Sequence, residues 1–317
     1  MKAAAGFFTN FFPIFLLGAI IGKIYADSGA ATTIARGIMK ALSKWAKDEG
    51  KKQLVAITVI IATGGILGYG GINVMVLIFT LYPLALSIFK EAEIPKRFLP
   101  PVILTGLATF AMVGPGSPQV QNLIPATALG TSPTSGLIPG IIGMIFIIVA
   151  SLAYLNSAIT KAKARGEIFK YGPNDTPDES IKEGPKFILS IIPLITVFSL
   201  FNIFKLHIIA SLTIGIILSL IFFYKFLGGN IASVQKTLNA GAIASAAAVL
   251  NVSAMVGFGG VVQASPAFQV AVTTMTGLGG NPLLISSLAV AGIAGITGSA
   301  SGGLGIAVPL LAPIFVD

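Results

Sequence analysis

The sequence has no cysteine in 317 residues and a single histidine, His207. The first absence excludes disulfides, thiolate nucleophiles and cysteine-held metals. Charge is scarce too: 10% of residues are charged, where a soluble domain carries roughly a quarter. No Asp, Glu, Lys or Arg stands at the centre of any long apolar run. There is also no adjacent acid–base pair, metal-ligand cluster or nucleophile elbow, and "GYGGIN" lacks the lysine of a phosphate loop. The sequence therefore predicts no enzyme, no catalytic residue and no cofactor. No cleavable leader is expected either, because the first apolar run begins soon after Lys2 and no clear A-x-A site follows it.

What is present is hydrophobic. Apolar residues make up 55% of the chain and the mean hydropathy is +0.92. Apolar runs recur near 7–24, 54–89, 98–113, 136–157, 187–204, 206–224, 237–262 and 283–316. Most reach the ~20 residues that a helix needs to cross hydrocarbon. This predicts one all-α polytopic membrane domain over 1–317. The net charge of +9 would suggest nucleic acid in a soluble protein. Here the cations fall between the runs, as the positive-inside bias puts them, so the expected partner is the lipid bilayer of the cytoplasmic (inner) membrane and not nucleic acid.

Charge also sets the topology. Arg36, Lys40, Lys44, Lys47, Lys51 and Lys52 follow the first run, on a segment whose apolar spacing suits an amphipathic interfacial helix. The stretch 54–89 is basic at both ends, so it goes in and returns, either as two spans or as a re-entrant hairpin with its tip at Gly68 to Asn73. One broken span is expected over 98–128, an uncharged outer connector over 129–135, and a polar cytoplasmic loop over 161–186.

Segment 18–38 resembles 255–277, each carrying a serine (Ser28, Ser265) into an arm, and "TGGILGYGG" from Thr63 resembles "TGSASGGLG" from Thr297. The offset is about 235 residues and the charge topology inverts the second copy. This divides the chain into repeat one (7–128), connecting spans (129–236) and a partial repeat two (237–317). Inverted repeats with discontinuous helices are the mark of transporters that bind ligand near the midplane.

The stretch "VGPGSPQVQN" at 113–122 breaks a span with two prolines and two glycines. Backbone freed at that depth must be buried by protein or line a watery cavity. The half-helix that follows turns its N–H groups toward that cavity, which favours an anion. Gly116, Ser117, Gln119 and Asn122 are the candidate substrate contacts there; Tyr69 and Asn73 flank the first hairpin tip, and Thr297, Ser299 and Ser301 the second. Tight helix crossings with hydroxyls bonded to backbone are the alternative at the tips. Asp27, i,i+4 from Lys23, is the coupling candidate, with a surface ion pair as its other reading.

Taken together, "LLGAIIGKIYADSGAATTIARGI", "YGGINVMVLIFTLYPLAL", "GPGSPQVQN" and "TGSASGGLGIAVPLLAP" resemble the gluconate permease (GntP) family of the ion transporter superfamily, in particular its hydroxybutyrate and short-chain carboxylate branch. The resemblance implies a homodimer, an inverted-repeat fold with two opposed hairpins, and an elevator-like movement. It also implies that the first hairpin is 54–89, its partner loop 114–122, and the second hairpin about 283–316, with protons as the coupling ion. Members of that family are longer at both ends, so the resemblance implies a chain truncated at both. Three functions follow as alternatives: a proton-coupled carboxylate permease, a sodium-coupled (di)carboxylate symporter, or a non-transporting permease fragment.

Overall fold

In a computed structural model, residues 2–45, 48–173, 175, 183–266, 270, 281–297, 299–312 and 315 are described. The described residues are helical, with no strand, and the chain is an all-α polytopic membrane protein. The α-helices are α1 (Lys2–Asp27), α2 (Ala30–Leu42), α3 (Glu49–Tyr69), α4 (Val74–Glu91), α5 (Leu99–Gly106) and α6 (Val120–Ala128). They continue as α7 (Leu137–Ala164), α8 (Phe187–Asn202), α9 (Ile208–Phe223), α10 (Ile231–Gln263), α11 (Pro282–Thr297) and α12 (Ala300–Leu311). Five are long and apolar enough to cross a bilayer: Lys2–Asp27, Gly50–Tyr69, Leu137–Ala164, Ile208–Leu227 and Ile231–Val262.

The helix ends sort into two layers. At one end Gln53 bonds Asn156 and Thr160, the Lys163 ammonium reaches Ala92 O at 2.8 Å, and Thr237 bonds Asp27. At the other end Ala3 and Ala4 lie against Gly260 and Gly257, and Asn202 reaches Gly116. The first layer holds nearly all the cations, while the second has only Lys2, Lys205 and His207 among the described residues. The charge reading of the loops therefore matches the way the helix ends assemble.

α1 and α10 pack along their length as an antiparallel pair, with Ala4 beside Gly257, Ile20 beside Gly241 and Asp27 beside Thr237. A Cβ on Gly241 would stand 2.8 Å from Ile20 Cα, so the contact is backbone to backbone. Small residues at such crossings let helices gain van der Waals contact that lipid cannot match.

The stretch 54–89 is a re-entrant hairpin, α3 and α4, rather than two full spans. Its turn, Gly70–Asn73, bonds to the middle of α1 through Asn73 N–H to Gly18 O at 3.1 Å, and Gly70 meets Leu194 halfway along α8. Gly71 has a φ of 90°, a left-handed backbone that glycine adopts without penalty.

α11 and α12 form the second hairpin, closed where Gly303 meets Ala294. Gly305 lies near Val256 and Phe7, toward the charge-poor layer, so this hairpin enters from the side opposite to the first. The turn registers differ from the repeat alignment. The first turn comes seven residues after Thr63, which sits inside α3 with its hydroxyl donating to Val59 O at 2.6 Å, whereas the second follows Thr297 directly. Glycine-rich composition aligned the segments, but a left-handed glycine closes one turn and the Ser299 cap starts the helix after the other. Most of the second arm, 267–269 and 271–280, lies outside the described residues.

The outer surface is apolar. Along α7 the side chains of Ile138 and Phe146 are each 72% exposed and no residue in its spanning window is buried, as lipid contact requires.

Candidate functional site

The break in the span over 98–128 begins before its prolines. α5 loosens into a π-helix at Leu107–Val113 and ends at Gly114. The Asn122 amide donates to Met112 O and Gly114 O, both at 3.2 Å, tying off carbonyls that the widened helix releases. Tyr69 donates to Pro115 O at 3.3 Å. Gly116, with a φ of 73°, gives its N–H to Pro133 O and receives Asn202 Nδ2 on its own carbonyl, both at 3.0 Å. Ser117 is fully buried behind them, its N–H on Gly114 O. Such backbone is tolerated at depth because these partners satisfy it.

Gln119 joins the break to the first hairpin. Its Nε2 donates to Gly68 O at 3.0 Å and to Ile72 O at 2.8 Å, holding both sides of the tip with one amide. Two residues on, Gln121 Nε2 reaches Ser301 Oγ of the second hairpin at 3.2 Å. The half-helix α6 thus bridges the two opposed hairpins.

Between these three elements lies a small cavity of about 10 Å³, lined by Phe15, Asn73, Val74, Gln119, Val120, Gln121, Val252 and Ser301. That is room for about one water molecule. Three helices begin at it. Asn73 O accepts Leu77 N–H at the start of α4, Gln119 O accepts Leu123 N–H at the start of α6, and Ser299 Oγ accepts Gly302 N–H at the start of α12. The first N–H groups of a helix have no carbonyl partner inside it, and its dipole is positive at that end. Three such ends, three amides and one hydroxyl meet here, and none of the lining side chains among the described residues is ionisable. With room for one water it holds no organic acid as it stands, but the chemistry of its lining, helix N-termini without a fixed charge, suits an anion once the cavity widens.

Of the residues picked out by sequence, Asn73, Gln119 and Ser301 come together at this cavity, and Ser299 caps the helix that supplies Ser301. Gly116, Ser117, Tyr69 and Asn122 instead build the wall behind it. The side chain of Thr297 lies outside the described residues. Asp27 is paired with Lys23 at 2.7 Å and bonded by Thr237 at 2.8 Å. It stands twelve residues beyond Phe15 on α1, about 18 Å along the helix. Gln121 was missed; its place in the first turn after the break was the available signal. Among the described residues no group of three or more histidines or carboxylates is placed to hold a metal.

Spanning helices with broken segments meeting at a buried mid-depth cavity define a multi-pass membrane protein of the transporter class. The chain is 32% identical, over 361 residues, to the protein named "uncharacterized transporter YxjC" of Bacillus subtilis (strain 168), an alignment covering 100% of this chain and 74% of that protein. It belongs to that transporter's family. No protein-family model matches the chain.

Proposed function

We propose that this protein is a secondary transporter of small organic carboxylates such as gluconate or hydroxybutyrate, coupled to protons. The observation that carries the reading is the convergence of the α4, α6 and α12 starts on one uncharged cavity that has three amides and a hydroxyl among its lining. Half-helix N-termini facing a midplane site are suited to the carboxylate of a substrate. Amides and a hydroxyl beside it suit an acid that also carries hydroxyl groups.

Sodium coupling would require oxygen ligands at the hairpin tips. In the first tip, Gly68 O and Ile72 O already accept from Gln119 Nε2, so an amide sits where a cation would bind. This favours the proton. Membership of the gluconate permease family, an elevator movement of the hairpins and a homodimer in the inner membrane belong to the same proposal. The geometry in its favour is that the hairpins enter from opposite sides and meet α6 between them.

The test is uptake of radiolabelled gluconate and 3-hydroxybutyrate into proteoliposomes under an imposed pH gradient or an imposed sodium gradient. Accumulation that follows the pH gradient and ignores sodium is expected. Accumulation driven by sodium alone would reject the coupling, and none under either gradient would reject the substrate class.

A further inference from the structure

A second cavity, of about 870 Å³, opens at the charge-poor layer. Its walls are the first half of α1, the outer half of α6, residues 132–133 and the α8–α9 turn. It reaches almost to the small pocket. Ile14 lines the large cavity while Phe15 lines the small one; Ile124 and Val120 stand in the same relation on α6, and Val256 and Val252 on α10. The barrier is thus one helical turn, about 5 Å, of apolar side chains. Phe7, Ile124 and Val256 belong to the hydrophobic cluster that fills it, and Phe7 packs on Phe11 in a tilted pair with ring centroids 4.7 Å apart.

Among the described residues the walls carry one fixed charge. Lys205 is the sole Lys, Arg, Asp or Glu among the described residues of the lining. It stands at the tip of the α8–α9 turn with a φ of 54°, a left-handed backbone that a lysine adopts only at a conformational cost. A glycine there would relax the turn, so the position keeps a cationic side chain against local preference. Its ammonium lies 3.5 Å from Thr134 Oγ1, a weak tie across the mouth. In a wide opening with low-dielectric walls, one cation with no carboxylate partner among the described residues raises the local concentration of anions.

We infer that this cavity is the entry vestibule of the transporter, in which Lys205 gathers the substrate's carboxylate before the apolar barrier opens to the pocket. The inference rests on the carboxylate reading of that pocket, but its first test is independent of uptake. The chain has no cysteine, so Thr127→Cys places a single thiol on the vestibule wall. Its rate of modification by an anionic methanethiosulfonate is compared with that by a cationic one of similar size. With Lys205 present the anionic reagent should react several-fold faster; Lys205→Gln should abolish the difference and Lys205→Arg should keep it. An unchanged ratio in Lys205→Gln overturns the vestibule, whatever the uptake result.

The second readout is gluconate or 3-hydroxybutyrate uptake by the same variants without the added thiol. Lys205→Gln should raise KM several-fold, leave the maximal rate and the unfolding temperature unchanged, and flatten the dependence of KM on salt. If Lys205 only ties the turn to Thr134, Gln and Arg variants will differ in unfolding temperature and not in salt dependence, and the inference falls. Labelling as expected with no uptake by the unsubstituted protein would leave an anion-attracting vestibule and sink the carboxylate reading of the pocket.

Discussion

Gln119 and Gln121 stand two residues apart and hold different partners. The first donates to two tip carbonyls, so Gln119→Glu replaces a donor with a carboxylate facing Gly68 O and Ile72 O. Only its protonated form can bond either oxygen. Uptake by this variant should be lost at neutral pH and partly recovered under acid conditions; a pH profile like that of the unsubstituted protein would contradict the assignment. Gln121→Ala removes the link to Ser301 and should raise KM with little change in unfolding temperature, as read by uptake and thermal denaturation of the same preparation. Asn122→Leu should do the reverse, because two part-buried carbonyls lose their donor, at a cost of about 1–3 kcal/mol. Asn73, Gln119 and Ser301 were legible in the sequence because polar residues beside glycine and proline breaks have few other uses at that depth. Which face of the half-helix meets the cavity was not. A broken span loses the 3.6-residue phase of the helix before it, and the π-helical turn at Leu107–Val113 shifts it further.

Among the elements, the α1–α10 pair and the loop clasp make separate claims. Gly241→Ala puts a Cβ 2.8 Å from Ile20 Cα, which should cost about 1–3 kcal/mol by overpacking and lower the unfolding temperature; Gly241→Leu should lower it more. The loop after α7 is clasped to the base of the first hairpin. Asp175 accepts from Tyr82 at 2.8 Å and from Lys96 at 2.6 Å, and Arg97 pairs with Glu167 at 2.7 Å. The Lys96 ammonium holds the Asp175 carboxyl below the usual carboxylate value, and the same bond lifts Lys96 above the usual lysine value. The clasp therefore contributes fully above the ordinary carboxylate pKa and is lost as pH falls through the depressed one. On the alkaline side it is lost as pH rises through the raised lysine pKa. Tryptic cleavage after Lys170 should hold steady from neutral to mildly alkaline pH and accelerate in Asp175→Asn. The helices themselves were readable from apolar run length. The register of the hairpin turns was not, since Thr63 and Thr297 open similar glycine-rich strings whose turns form seven residues apart in relative position.

At the scale of the molecule, inversion was legible because charge and packing report the same fact. Cations cluster at one layer, and the antiparallel α1–α10 pair sets the two hairpins on opposite sides of a common pocket. What remained hidden was the distance between features: Asp27, conspicuous as an ionisable residue near a span, lies about 18 Å from the cavity along α1. The central claim is that the junction of α4, α6 and α12 binds a carboxylate. The measurement that tests it most directly is gluconate and 3-hydroxybutyrate uptake under a pH gradient, comparing the unsubstituted protein with Ser301→Ala, which removes the hydroxyl at the cavity without adding volume. The account predicts accumulation by the first and a several-fold higher KM for the second, with both inserted and folded alike. Accumulation of either acid by Ser301→Ala with an unchanged KM would contradict it.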